Sequence, residues 1–300
     1  MERYSVHLKL LGMAVLWGAS WPMGRMLGQS LPPLTGGAVR FVLASVLLLS
    51  WLFARSRFAT LAALSARQWL GLTAAASVGV CGYAVFFMLG LQTMPAGKAA
   101  VVVAVNPVLT LLLATWFFGE RLNAKILAGM LLAVGGAIMV VTQGQPLTVL
   151  SGGIKVGEWL IFGCVVCWAA YTLIGRAVLR GIDALTVTTA TSFIGALMLS
   201  VVALWTDGMP FEAIAAMDGR GWTALAWLVI GATVLAYAWY FEGVKTLGAG
   251  SAAAYITLVP IFGVLSSAWF LGEPLHISLV AGCAAAVGGM TLMRYGQKAV

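Results

Sequence analysis

Charge is what this sequence has least of. Nine acidic and 17 basic residues make up only 9% of the 300, against about a quarter in a soluble domain. Histidine occurs twice and cysteine four times. Metal sites need clustered His, Cys or carboxylate ligands, and hydrolysis needs an acid, a base and a nucleophile brought together. The chain has no HExxH and no pair of acids inside an apolar run, and His7 and His276 belong to distant segments. No enzyme, metal site or cofactor is expected. Cys164 and Cys167 form a CxxC, but inside an apolar run. Reactive or metal-binding pairs occupy turns or helix starts, so these two read as small apolar residues. The basic residues do not cluster with aromatics, so nucleic acid is not an expected partner.

Apolar residues fill the space that charge leaves. The chain is 62% hydrophobic with a mean hydropathy of +1.01. A bilayer crossing takes about 20 apolar residues. Windows of that kind lie at 8–27, 33–53, 69–91, 97–118, 124–142, 156–178, 183–205, 221–242, 250–271 and 277–294. They nearly exhaust the chain and leave no room for a soluble domain. The runs are apolar all round, whereas a membrane barrel alternates, so an all-α membrane protein of ten transmembrane helices is expected. The first window begins with Arg3 and Lys9, as a signal peptide would. It runs through Trp17 and Trp21 without a small-residue cleavage site, so it reads as a retained helix.

The net charge of +8 reflects topology. With the N-terminus in the cytoplasm, twelve of the 17 basic residues fall on the cytoplasmic side. Arg25, Arg40, Lys98, Lys155 and Arg220 fall on the other. The positive-inside rule then places both termini in the cytoplasm, with bacterial inner membrane as the expected location and lipid as an expected partner.

The chain repeats itself. PVLTLLLATWFFGE at 107–120 returns as PIFGVLSSAWFLGE at 260–273, with Pro, Leu, Trp, Phe, Gly and Glu identical and no gap. The offset of 153 holds from residue 93 to 136, pairing Gly97 with Gly250 and Glu120 with Glu273. Upstream it becomes 151, pairing Trp17 with Trp168, Gly24 with Gly175 and Arg25 with Arg176. Residues 1–143 form one five-helix repeat, 144–155 a polar, Gly-rich linker, and 156–300 the second repeat. Five is odd, so the second unit must enter the membrane from the other side. The halves are inverted, with Glu120 at the cytoplasmic end and Glu273 at the outer end, an arrangement suited to alternating access.

A five-plus-five repeat, a WGASWP first helix, a doubled P…WFxGE helix and Gly/Ala-rich last helices resemble the drug/metabolite transporter superfamily. Within it the chain looks most like EamA-type ten-helix exporters, and among those like bacterial aromatic amino-acid exporters. The resemblance covers nearly the whole chain. It implies two inverted five-helix repeats around a central cavity, with the fifth helix of each half at the periphery. It also implies export of small metabolites. Small multidrug members of the superfamily carry a glutamate in the first helix; LLGMAVLWGASWPMG has no acid. That argues against a carboxylate relay and against multivalent cationic drugs.

The residues offer a candidate site. Trp17, Tyr83, Trp168, Tyr171, Tyr237 and Tyr255 lie near mid-depth, away from the interfaces where Trp and Tyr usually sit. Trp21 shares a helix face with Trp17 at i,i+4, and Tyr171 shares one with Trp168 at i,i+3. Trp17 and Trp168 are expected to meet near the pseudo-axis. Lining a cavity for planar or apolar solutes accounts for such aromatics, and ordinary packing is the alternative. Pro107 and Pro260 interrupt the fourth and ninth helices and free the carbonyls of Val103 and Ile256. Asn106 and Thr257 stand beside the breaks, a setting that suits a substrate ammonium group as well as it suits a packed kink. Lys98, at the N-terminus of the fourth helix, could attract a carboxylate or merely snorkel to the interface. Small-xxx-small stripes at 129–137 and 282–290 read as scaffold and as a possible self-association face of the fifth and tenth helices. The substrate expected first is an aromatic or other apolar amino acid. Planar aromatic drugs, other metabolites, or a selective pore are the alternatives.

Overall fold

The computed structural model describes residues 2–55, 58–145, 154–178, 181–247 and 249–297. The middle of the expected linker, 146–153, lies outside the described residues, as do Arg57, Arg180 and Lys298 of the charge count and the side chains of Arg3 and Ala253.

Among the described residues, ten long helices form two sets of five. The first set is α1 (Glu2–Ser30), α2 (Pro33–Ala54), α3 (Ala66–Thr93), α4 (Ala96–Phe118) and α5 (Ala124–Val141). The second is α6 (Val156–Val178), α7 (Ala184–Asp207), α8 (Gly219–Leu247), α9 (Ala249–Ile256 continued by Val259–Leu271) and α10 (Ile277–Gln297). Among the described residues, nine of these are long and apolar enough to cross a bilayer. The tenth, α1, is long enough, but Ser20, Pro22 and Arg25 dilute its apolar run. Its position explains why that is tolerated. It packs against α3, α4, α8 and α9, and Leu10, Met13, Met23 and Leu27 are fully buried. A helix walled by protein does not have to match hydrocarbon on every side.

Contacts at the two ends fix the inversion. α1 starts at the face that carries both termini and ends at the opposite face, where Arg25 Nη1 donates to the Met94 carbonyl at the end of α3 (2.8 Å). α6 starts at that opposite face, with Gly157 against Thr93 and Met94. The return of α10 to the termini face is marked by the Asn123 amide, which donates to the Gly296 carbonyl (2.9 Å). Glu120 therefore sits at the termini face and Glu273 at the far one.

Every identical position of the repeated segment has a mechanical role. Trp116 and Trp269 are 80% and 84% exposed, so they face lipid and wall no site. Leu112, Leu265, Phe117 and Phe270 share that outer surface. Gly119 and Gly272 have φ of 68° and 65°, the left-handed conformation that ends each helix and that a Cβ would strain. The glycine turn sets the glutamate that follows it at the helix end.

The small-residue stripes of α5 and α10 face each other within the chain. A Cβ on Gly136 would lie 2.5 Å from the Gly282 carbonyl oxygen, and one on Gly289 would lie 2.5 Å from that of Gly129. The face on which self-association was expected is thus covered by the chain's own partner helix. Two five-residue helices, Phe58–Ala62 and Phe211–Ala215, occupy equivalent places in the two halves. They are too short for periodicity to reveal.

Gly136→Leu is expected to lower thermal stability in detergent by the equivalent of about 2 kcal/mol or more, because backbone would have to move. Gly135→Leu, at an exposed neighbour with nothing within 4 Å of its Cβ position, is expected to change it little. Equal unfolding temperatures for the two variants would contradict the packing described.

Candidate functional site

Four irregularities in the helices shape the centre of the bundle. Proline cannot donate to the carbonyl four residues back, and its ring clashes with that turn. α4 accordingly stops at Val103 and restarts at Asn106, with Pro107 in the first turn of the new segment. α9 stops at Ile256 and restarts at Val259, with Pro260 in the same place. Between the pieces, i→i+3 bonds tighten the chain: Val105 N–H to Val102 O at 3.1 Å and Leu258 N–H to Tyr255 O at 3.0 Å. The other two irregularities are π-helical turns at Ser77–Gly82 of α3 and Trp227–Leu235 of α8, also repeat-related. Both breaks and both π turns supply residues to one cavity.

That cavity has a volume of about 550 Å³, within the range of ~300–1,000 Å³ typical of ligand sites. Its wall is aromatic and apolar with a few polar groups. Trp17, Trp21, Tyr83, Asn106, Pro107, Trp168, Tyr171, Tyr237 and Pro260 all line it. The aromatics form two equivalent Trp–Tyr edge pairs, one from each inverted interface. Trp17 of α1 meets Tyr237 of α8 (centroids 5.3 Å, 70° between planes), and Trp168 of α6 meets Tyr83 of α3 (6.1 Å, 62°). The expected meeting of Trp17 with Trp168 is replaced by these pairs, because each tryptophan finds its ring partner on the third helix of the other half. A buried indole N–H needs an acceptor. Trp17 Nε1 donates to the Ala232 carbonyl inside the π turn of α8 (2.9 Å).

Two candidates lie elsewhere. Tyr255 packs with Val6, Leu10 and Met13 between α1, α8 and α9, and its hydroxyl meets His7 Nδ1 at 2.6 Å. Lys98 Nζ donates to Glu158 Oε1 at 2.8 Å on the far side of the bundle. The N-terminus of α4 does hold a carboxylate, but it is the protein's own. Glu273 Oε1 accepts from Ala96 N–H (2.7 Å) and Oε2 from Gly97 N–H (2.9 Å).

The two ends of the cavity differ. At the far face Glu273 caps α4 and lies 3.6 Å from Arg25. Neither residue belongs to the cavity wall. At the termini face the repeat-related pair, Glu120 with Arg176, does belong to it, together with Met293, Arg294 and Gln297. The Glu120 and Glu273 side chains are 31% and 13% exposed. The cavity wall thus takes in the ion pair of the termini face and stops short of the one at the far face. The other acids least near a helix end are also paired: Glu158 with Lys98, and Glu242 with Lys9 at 2.6 Å.

Arg40 was missed from the sequence, where it passed for a charge of the outer loops. It stands two turns into α2, about 10 Å from the start at 1.5 Å per residue, and lines the cavity. Its guanidinium carbon is 4.9 Å from the centroid of Phe41 and 5.9 Å from that of Phe87. A lone cation inside LTGGAVRFVLASVLLL was the available signal.

Comparison with known proteins follows the same division into halves. The EamA-like transporter family matches residues 5–142 and again 155–295. The uncharacterized transporter YyaM of Bacillus subtilis is 28% identical over 97% of this chain and 93% of its own length. An uncharacterized transporter of Archaeoglobus fulgidus is 28% identical over 95% and 96%. A probable terminal-alkyne amino-acid exporter of Streptantibioticus cattleyicolor is 26% identical over 73% and 71%. A protein of known crystal structure shares the fold, with a TM-score of 0.65, 22% identity and 97% of both chains covered.

In a variant lacking native cysteines, a cysteine at Thr172 of the cavity wall is expected to react readily with a membrane-impermeant maleimide applied to the termini face. A cysteine at Gly97, behind Glu273, is expected to react at least about tenfold more slowly from that face. Similar rates would mean that the seal is not where the geometry places it.

Proposed function

The chain belongs to the EamA-like transporter family, and we propose that it exports aromatic and other apolar amino acids by alternating access. It is a multi-pass membrane transporter rather than an enzyme. The observation that carries the proposal is the unequal state of two equivalent ends. Glu273 and Arg25 close the far face against the N-terminus of α4. Their repeat mates Glu120 and Arg176 border the open one. The inverted repeat supplies the second state. With the roles exchanged, Glu120 accepts from the backbone N–H groups of Ala249 and Gly250, which correspond to Ala96 and Gly97. Arg176 then stands where Arg25 stands now. A permanently open pore has no use for a sealed end.

The substrate class rests on the wall. Indole and phenol rings provide apolar faces with polar edges, matched to a planar or apolar side chain. Asn106 Oδ1 is buried without a partner beside the α4 break, and an ammonium group would satisfy it. The amino-acid exporter among the relatives supports the same class at a distance. The count of basic residues supports cytoplasmic termini in a bacterial inner membrane. Moving Arg40 from the outer loops to the interior sharpens that count. In this orientation the open end is cytoplasmic, the side from which an exporter loads.

Trp168→Ala and Trp17→Ala are each expected to reduce counterflow of labelled phenylalanine in proteoliposomes about tenfold or more while the protein stays folded. Unchanged counterflow in both variants would remove these residues from the site. Flux in the native protein that shows no acceleration by substrate on the opposite side would make it a pore.

A further inference from the structure

We propose that Arg40 docks a carboxylate of the transported solute and thereby sets the charge that the cavity accepts; this rests on the cavity being the transport site. Lys9, Arg25, Lys98 and Arg176 each meet a protein carboxylate. Arg40 meets none among the described residues, and its Nε is buried without a hydrogen-bond partner. Around it stand rings: Phe41 and Phe87 beneath the guanidinium, with Tyr83 and Tyr237 within electrostatic reach. Contact with ring faces only partly offsets the loss of water around an intramembrane cation.

The inverted repeat provides an internal control. At the offset of 151 the position equivalent to Arg40 is Thr191 of α7, which lines the same cavity. Its hydroxyl is satisfied by its own helix, donating to the Val187 carbonyl at 2.8 Å. The helix packing here therefore does not require a cation, and one half has acquired an unanswered charge. A solute anion answers it.

The chemistry narrows the anion. A single guanidinium neutralises one charge, and its planar fork fits a carboxylate in two parallel hydrogen bonds. A phosphate dianion would keep a charge in the apolar wall. Asn106 Oδ1, an unsatisfied acceptor in the same cavity, takes the donor end. One lone donor cation and one lone acceptor fit a zwitterion whose side chain lies on the aromatic wall. A cationic amine that lacks the carboxylate is repelled by Arg40.

Titration calorimetry on the purified full-length protein tests this with three probes that share one ring. They are phenylalanine, 3-phenylpropionate (carboxylate without amine) and phenethylamine (amine without carboxylate). R40Q is expected to weaken both carboxylates about 10- to 100-fold and to leave phenethylamine no weaker. R40K, which keeps the charge but not the fork, is expected to lose less and guards against a folding artefact in R40Q. Asn106→Leu is expected to weaken phenylalanine and spare 3-phenylpropionate. Failure of both carboxylates to bind the native protein more tightly than R40Q overturns the proposal. Substrate-accelerated phenylalanine counterflow that is measurable in the native protein and equal in R40Q also overturns it, while leaving amino-acid export standing. Arg40-dependent binding of 3-phenylpropionate without phenylalanine transport sinks amino-acid export and leaves the docking role intact.

Discussion

Hydrocarbon offers no partner to a backbone N–H or C=O, and that constraint organises this molecule. Regular helix can face lipid anywhere. Irregular helix can face only protein or water. Among the described residues four stretches inside the spans are irregular, two proline breaks and two π turns, and all four contribute to the central cavity. The freed groups are then used. The Ala232 carbonyl holds Trp17, and the break in α4 presents Asn106. The broken segments thus add polar groups to a wall that also takes Arg40 and Thr191 from regular helix.

The same constraint explains the ends. An exposed helix N-terminus in the interior of a bundle needs acceptors, and Glu273 supplies two to α4. Because the glutamate follows a left-handed glycine at the end of α9, its position is set by backbone geometry rather than by a flexible loop. Duplication placed an identical Gly–Glu at the end of α4. The protein therefore contains two copies of one latch at opposite faces, and the structure has one fastened deeply and the other near solvent.

Much of this was legible in the sequence, for physical reasons. Ten apolar windows, the repeat and its odd parity give the inverted bundle, because length and hydropathy are what a bilayer selects. Prolines within apolar runs announce the breaks, and most mid-depth aromatics fall on the cavity wall. The failures share a cause. Lys98 and Tyr255 look equally suited by depth, but depth does not say which way a side chain turns. Lys98 turns to Glu158, and Tyr255 to His7. Arg40 was hidden by the opposite error, since a cation two turns from a helix start is easily assigned to the loop. The α5–α10 stripes announced close packing without naming the partner, which proved to be internal.

The unequal halves carry a kinetic consequence. In the proposed carrier each orientation fastens one latch, but the two halves are not identical, with Arg40 in one where Thr191 stands in the other, so the two orientations of the empty protein differ in free energy and are unequally populated. Such a bias makes the apparent affinity for solute differ between the two sides of the membrane. It cannot by itself drive accumulation. With no ion bound to the cycle, net flow stops when the concentrations are equal, however lopsided the resting distribution. The molecule would rectify speed, while the gradient alone chooses the direction.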